Sequence, residues 1–480
     1  MNYRMIFHMV GQITKLEAAL LLLPTCVALL YRESCVFALL FTAVFALCVG
    51  FAFTLFSRPR SQVIFAKEGF VIVALAWMLL SAIGAIPFCL TREIPSYIDA
   101  FFETVSGFTT TGASILTDVE SMSRGLLFWR SFTHWIGGMG VLVLIMALLP
   151  TGSGRSIHIM RAEVPGVTVG KLAPRLRDTA KILYLIYIAL TLVEIGFLLA
   201  GGMSAFDSVV HAFGTAGTGG FGIRADSIAG YSPYLQWVIT VFMLLFGVNF
   251  NVYFLLVMRH FGKALRNGEL WMYLCIVLCA TGLITLNTVS LYNGVGETVR
   301  HAAFQVSSII TTTGYATTDF NLWPDFSKAI LLALMFVGGC AGSTAGGLKV
   351  SRILLLFKTF RRDLQRQLHP HAVGAIKLDG KRLDDGAVQS VSAYILLYFV
   401  VFGAGFLLLS LEPFGLETNF SAMAACLNNV GPGFAAVGPA GNFSIYSGFS
   451  TLLLSLAMLL GRLEIYALLL TLTPSTWLKE

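Results

Sequence analysis

Charge is what this sequence has least of. Asp, Glu, Lys and Arg make up 12% of 480 residues, about half the ~25% of an ordinary soluble domain. With 56% hydrophobic residues and a mean hydropathy of +0.80, the chain reads as an integral membrane protein. It has eight cysteines but no Cys-x-x-Cys pair. Cys26, Cys35, Cys48, Cys89, Cys275, Cys279, Cys340 and Cys426 lie mostly inside apolar runs and read as small core residues rather than disulfides or metal ligands. A P-loop is missing too, since Lys349 follows Leu348 and precedes Val350 where Gly-Lys-Ser/Thr is required. There is no Rossmann fingerprint in the larger polar loops and no convergent set of acids, bases or metal ligands, so an enzyme is not expected.

What is present is a series of apolar segments. Hydropathy and Gly/Pro punctuation predict ten spans, at 6–31, 35–57, 69–91, 125–149, 182–201, 231–258, 270–291, 324–358, 387–411 and 446–472. The first is too long and too late-charged for a cleaved signal peptide. An even number of spans puts both termini in the cytoplasm, and charge agrees. Most Lys and Arg, including Arg58, Arg60, Arg155, Arg161, Lys171, Arg175, Arg361, Arg362 and Arg366, fall on that side. Arg32, Arg92, Arg124, Arg130, Arg224, Arg300 and Lys328 fall outside, with Lys15 and Arg462 inside spans. The net charge of +7 is thus topological and calls for no nucleic acid.

Four apolar stretches too short to cross stand between spans, each ending in a glycine loop: DAFFETVSGFTTTGA, DSVVHAFGTAGTGGF, HAAFQVSSIITTTGY and TNFSAMAACLNNVGP. They align without gaps on Gly112, Gly220, Gly314 and Gly431. Thirteen residues earlier stand Asp99, Asp207, His301 and Thr418, read as helix starts for the most part. Six earlier are the small residues Ser106, Gly214, Ser308 and Ala425. Two earlier are Thr110, Thr218, Thr312 and Asn429, all with side-chain oxygen. The glycines are 108, 94 and 117 residues apart, an internal repeat of span, half-helix, loop, span. The predicted fold is all-α: four pseudo-symmetric membrane-pore-membrane repeats around a central pore, with four re-entrant half-helices and two additional N-terminal spans. The divisions are 1–68 (N-terminal addition), 69–181, 182–268, 269–385 and 386–480. Irregular backbone at membrane depth is tolerated only inside protein or along a water-filled path, and a ring of carbonyls can replace the hydration shell of a monovalent cation. The candidate cation filter is Thr110, Thr111, Gly112; Thr218, Gly219, Gly220; Thr312, Thr313, Gly314; and Asn429, Val430, Gly431, with Tyr315 behind it and Ser308 a small packing point.

The eighth span is too long and is interrupted by GGCAGSTAGG: Gly338, Gly339, Cys340, Ala341, Gly342, Ser343, Thr344, Ala345, Gly346 and Gly347. Five glycines in ten residues preclude a stable helix interior, so a loop or broken helix is expected, with close packing of small residues as the alternative. Arg462 lies in an apolar run, where a charge costs at least ~2.5 kcal/mol, and must find carbonyls or an acid. Glu464, two residues on, points to another helical face, so carbonyls of 338–347 are the better partner. Glu194, Asn249 and Asn251 read as interhelical hydrogen-bonding groups, and His134 and His211 as structural.

These residues carry a resemblance. TTTGA (109–113), TGGF (218–221), TTTGY (311–315), NNVGPG (428–433), GGCAGSTAGGLK (338–349) and GRLEIY (461–466) resemble the Trk/Ktr/HKT superfamily of cation transporters, most closely its bacterial TrkH type, over essentially the whole chain. The resemblance implies potassium (K+) uptake across the bacterial inner membrane, one pore per subunit of a homodimer, and a gate at 338–347 shaped by Arg462. It also implies a cytoplasmic TrkA-like ring of NAD- and nucleotide-binding subunits, and no organic cofactor in this chain. In related plant transporters a serine at the first filter glycine accompanies sodium selectivity; Gly112 here favours potassium. The second and fourth loops depart from strict fourfold chemistry. Channel-like uptake, proton-coupled or sodium-permeable symport, and an unrelated solute carrier all remain open at this level.

Overall fold

A computed structural model describes residues 1–57, 66–140, 176–369, 375–378 and 381–477. Over these the protein is helical apart from a hairpin pairing Lys377–Leu378 with Lys381–Arg382. In lipid the backbone must satisfy its own hydrogen bonds, which apolar runs do as helices. Among the described residues six helices are long and apolar enough to cross a membrane: Tyr3–Leu30, Val36–Phe56, Lys67–Leu90, Ala180–Ala200, Gly268–Leu291 and Asp385–Leu409.

The expected spans 231–258 and 446–472 are not straight. Pro233–Phe246 and Phe250–Val257 meet at 88°, and Gly448–Arg462 and Tyr466–Leu472 at 119°. At the first break the Asn249 carboxamide accepts from the N–H of Asn251 at 2.9 Å and starts a new helix. At the second, Glu464 (φ 55°) and Ile465 (φ 59°) are left-handed. Span 324–358 divides into Asp325–Val337 and Val350–Leu368. The helix Arg124–Gly138 stands where span 125–149 was expected; the far end of that span, Arg58, Arg60, and positions 151–175 of the following basic loop lie outside the described residues. The helices that follow the four glycine loops therefore end at Gly138, Phe246, Val337 and Arg462, short of the far ends of the expected spans.

Between the long helices sit four short ones, Tyr97–Phe108, Ala205–Gly217, Val295–Ile310 and Leu416–Leu427. Their starts differ from the expected ones. Ser96 and Ser204 are the N-caps, accepting from the N–H groups of Asp99 and Asp207 at 3.4 and 3.1 Å. The two aspartates thus occupy the third helical position, where a carboxylate opposes the positive end of the helix dipole. His301 lies well inside a helix that begins at Val295, and Thr418 is the third residue of its own.

Each short helix packs on the helix that follows the preceding glycine loop in the cycle: Tyr97–Phe108 on Gly448–Arg462, Ala205–Gly217 on Arg124–Gly138, Val295–Ile310 on Pro233–Phe246, and Leu416–Leu427 on Asp325–Val337. The order is cyclic, and the fourth unit closes on the first. The largest apolar core joins the N-terminal helices to the first and last units through buried Trp77, Phe88, Phe102 and Trp129, with the Trp129 indole N–H donating to the Gly84 carbonyl at 3.0 Å.

Candidate functional site

The cyclic packing aims the C-terminal ends of all four short helices at one place, and the loops there repeat the same backbone. Thr110, Thr218, Thr312 and Asn429 have φ of 55, 55, 56 and 56°; Gly112, Gly220, Gly314 and Gly431 have φ of 80, 74, 84 and 102°, and the residue between has negative φ. Alternating left- and right-handed backbone turns successive carbonyls to the same side. Each helix ends alike: the N–H groups of Thr111, Gly219, Thr313 and Val430 donate to the carbonyls of Ser106, Gly214, Ser308 and Ala425 at 2.9, 2.8, 2.8 and 2.8 Å. The small residues six before each glycine are thus the acceptors of the helix-closing bond.

The glycines are required by contact as well as by φ. A Cβ on Gly112 would run into the carbonyl oxygen of Gly219, one on Gly220 into that of Thr313, one on Gly314 into that of Val430, and one on Gly431 would lie 2.7 Å from that of Thr111. Loop one meets two, two meets three, three meets four and four meets one. This is a closed ring of four loops around one axis. Gly112, Gly220 and Gly314 keep partial exposure while the threonines around them are buried.

Two oxygens of the ring are buried without a hydrogen-bond donor, Thr110 Oγ1 and Asn429 Oδ1. Burying such atoms unpaired is costly, and a dehydrated cation is a partner that the chain itself does not supply. The ring is braced from behind. Thr109 and Thr111, and again Thr311 and Thr313, pair their hydroxyls at 2.8 Å. His134 engages the Gly107 carbonyl through Nδ1 at 2.8 Å, and its Nε2 accepts from the Phe221 N–H at 3.3 Å. It is a structural clamp between the first two units. The Tyr315 hydroxyl donates to the carbonyls of His211 and Phe221 at 3.2 and 3.3 Å. Ser308 is more than a small packing point, since its hydroxyl donates to the Tyr315 carbonyl at 2.6 Å.

Arg130 is not at the outer surface, where its charge alone would put it. It is buried and pairs with Glu103 at 2.5 Å, donates to the Gly222 carbonyl at 2.9 Å, and lies 3.5 Å from the centre of the Phe221 ring. Glu103 also accepts from the Ser114 hydroxyl at 3.1 Å and the Ile115 N–H at 2.9 Å. The pair locks the exit of loop one to that of loop two.

Residues 338–349 form the intervening loop, and it touches the ring. The Gly346 N–H donates to Thr312 Oγ1 at 2.6 Å, and a Cβ on Gly346 would meet the Asn428 carbonyl. The loop also uses the break at 247–249, where the Cys340 N–H donates to the Gly247 carbonyl and the Phe250 N–H to that of Gly342, both at 3.0 Å. Thr344 Oγ1 donates to the Phe246 carbonyl at 3.2 Å. Arg462 donates to the Thr344 carbonyl at 2.9 Å and to those of Gly137 and Gly138 at 2.6 and 2.9 Å, so the end of one broken helix holds both the loop and the end of another. Glu464 pairs instead with Arg352 at 2.6 Å. Glu269 accepts from the N–H groups of Ala341 and Ser351 at 2.6 and 3.1 Å, and from the Asn249 amide at 3.4 Å. The loop lines a cavity of about 60 Å³ through Ala345, Gly346 and Lys349, together with Gly138, Arg462 and one ring residue, Asn429.

Sequence reasoning missed Glu103, Arg130 and Glu269 as site residues. The signal available for the first two was an acid in a short apolar helix and an arginine in LLFWRSFTHW; Glu269, at a span's start, looked like an ordinary helix-end acid.

The family model for cation transport proteins of the TrkH type matches residues 37–479. A Trk system potassium uptake protein TrkH of Salmonella typhimurium is 38% identical over 484 residues, covering 99% of this chain and 100% of that protein. The TrkH of Halomonas elongata is 34% identical, covering 100% of both. The crystal structure of the potassium transporter TrkH from Vibrio parahaemolyticus superposes with a TM-score of 0.89 at 34% identity, again over 100% of both chains. A matching family model over nearly the whole sequence, matching relatives end to end and a shared fold place this multi-pass membrane protein in the TrkH family of cation transport proteins.

Proposed function

We propose that this protein carries potassium ions inward across the bacterial inner membrane through the ring of four loops, with 338–347 as the gate beneath it. The observation that carries the reading is the closed ring itself: four copies of one left-right-left backbone, joined glycine to carbonyl in cyclic order, with two buried oxygens left for a ligand. The filter residues are Thr110 to Gly112, Thr218 to Gly220, Thr312 to Gly314 and Asn429 to Gly431. Potassium rather than another cation follows from the relatives, named as potassium uptake proteins, and from glycine at all four ring positions. Gate closure is supported by the bond from Gly346 to Thr312 and by Arg462 on Thr344.

The reading extends to five divisions (1–68, 69–181, 182–268, 269–385 and 386–480), to cytoplasmic termini, to a homodimer with one pore per subunit, and to a cytoplasmic TrkA-like nucleotide-binding ring. The relatives' names as parts of a Trk system support a partner of that kind. A potential of 100 mV contributes ~2.3 kcal/mol per charge, enough for about fiftyfold accumulation without a coupled proton. Rubidium uptake into proteoliposomes, competed by potassium and sodium under an imposed potential or an imposed pH gradient, tests the proposal. Uptake blocked by potassium and driven by potential alone is expected; no uptake even with 338–347 deleted refutes the pathway, and uptake only with a pH gradient refutes uncoupled transport.

A further inference from the structure

Lys349 lines the cavity beside the loop. It is buried, and it ends the 338–348 loop and precedes the helix Val350–Leu368 with φ of 76°, a left-handed conformation unfavourable for a side chain without local compensation. Glycine would be the easy residue at such a joint, yet the longest aliphatic amine stands there. Its Nζ donates to the carbonyl of Ala345, and Lys349, Ala345 and Asn429 line the same cavity. The neighbouring charges are otherwise engaged: Glu464 with Arg352, Arg462 with three carbonyls, and Glu269 with two backbone N–H groups.

An ammonium group is chemically close to a dehydrated potassium ion, with one positive charge, a compact shape and a preference for carbonyl oxygen. We propose that the Lys349 ammonium is a tethered resident cation. In the closed arrangement it holds the carbonyl site of the cavity beneath the ring and excludes a mobile cation by charge, in addition to the steric block. Two like charges a few ångström apart in so dry a place repel strongly enough to change occupancy by well over about tenfold. The position at the loop–helix joint gives the device a release, because any displacement of Val350–Leu368 withdraws the amine together with the loop. This inference rests on the gate reading above and adds a charge mechanism to it.

The test is basal rubidium uptake by the purified full-length chain in proteoliposomes, without a partner protein. Lys349→Met keeps the length of the side chain and removes the charge, and uptake is expected to rise about tenfold or more. Lys349→Arg retains a charge, though on a wider planar group, and is expected to leak clearly less than Lys349→Met. Lys349→Cys is expected to leak, to reseal after treatment with aminoethyl methanethiosulfonate, which restores an ammonium, and to stay open after the neutral methyl reagent, with the treated parent protein as control for native cysteines. Equal leak from Lys349→Met and Lys349→Arg would assign the effect to loop shape and overturn the charge mechanism. Parental uptake by Lys349→Met, while deletion of 338–347 leaks, would overturn the lysine inference and leave the gate standing. Parental uptake by the deletion as well as by Arg462→Ala would remove the gate and the inference together.

Discussion

If residues 338–347 are the gate proposed above, replacing Arg462 by alanine weakens the hold on its closed form. The guanidinium donates to Thr344 in the loop at 2.9 Å and to Gly137 and Gly138 at 2.6 and 2.9 Å. A buried hydrogen bond to a charged group contributes about 1.5 to 3 kcal/mol. Of the three, only the Thr344 bond joins Arg462 to the loop; the other two tie broken-helix ends and, on the proposed gating, are kept when the loop opens. The difference between closed and open is therefore one bond, and its loss moves the equilibrium by about tenfold to a hundredfold toward open, since ~1.4 kcal/mol is a factor of ten. Basal rubidium uptake by Arg462→Ala is expected to rise by that factor, with Arg462→Lys intermediate because a point charge can reach one carbonyl but not three in fork geometry. Loss of the Gly137 and Gly138 bonds should appear separately, as a lower unfolding temperature in detergent. Unchanged uptake in a variant that unfolds at a lower temperature would refute the reasoning: the bonds would be real and the loop bond irrelevant to closure.

Other outcomes follow from the same geometry. Gly112→Ser places a Cβ against the Gly219 carbonyl and a side chain at φ 80°; uptake should fall and the preference for rubidium over sodium should narrow, and an unchanged ratio in competition assays would count against the ring as the filter. Glu269→Ala leaves the N–H groups of Ala341 and Ser351 without their acceptor, at about 1 to 3 kcal/mol each, so basal uptake should rise, whereas Glu269→Gln keeps an oxygen for both and should leak far less. Removing one member of the buried Glu103–Arg130 pair costs about 3 to 5 kcal/mol, so Glu103→Leu and Arg130→Met should each lower the unfolding temperature sharply, while the double variant loses less than their sum in a thermal melt.

How much of this was legible in the sequence depends on whether a residue's requirement is local. The ring glycines were readable because the same strained backbone is needed four times, and only glycine tolerates both the left-handed angle and a carbonyl where its Cβ would lie. Four aligned copies expose a constraint that one copy hides. Arg462 was readable because an arginine in an apolar run must find acceptors. The breaks in the sixth and tenth spans were not, because hydropathy sums over a window and is blind to a bend: Glu464 and Ile465 carry no turn chemistry, and their left-handed angles are imposed by what surrounds them. Glu269 was hidden because a lone carboxylate near a helix end looks the same whether it faces water or accepts N–H groups far along the chain, and Glu103 because its partner Arg130 lies on another helix.

The fourth loop shows why departure from the repeat pattern is informative rather than noise. A threonine at position 429 could reproduce the side-chain oxygen but could not reach as Asn429 does, donating through one amide nitrogen to Thr111 of the first loop and to the Met458 carbonyl, both at 2.9 Å. Loop four is the only loop that must join the end of the chain to its beginning, and the amide supplies a second donor for that join. Pro432 fills the space on the other flank, its ring 2.8 Å from where a Cβ of Gly314 would stand. The least potassium-channel-like of the four segments is thus the seam that closes the ring, and its asymmetry leaves Asn429 Oδ1 buried without a donor.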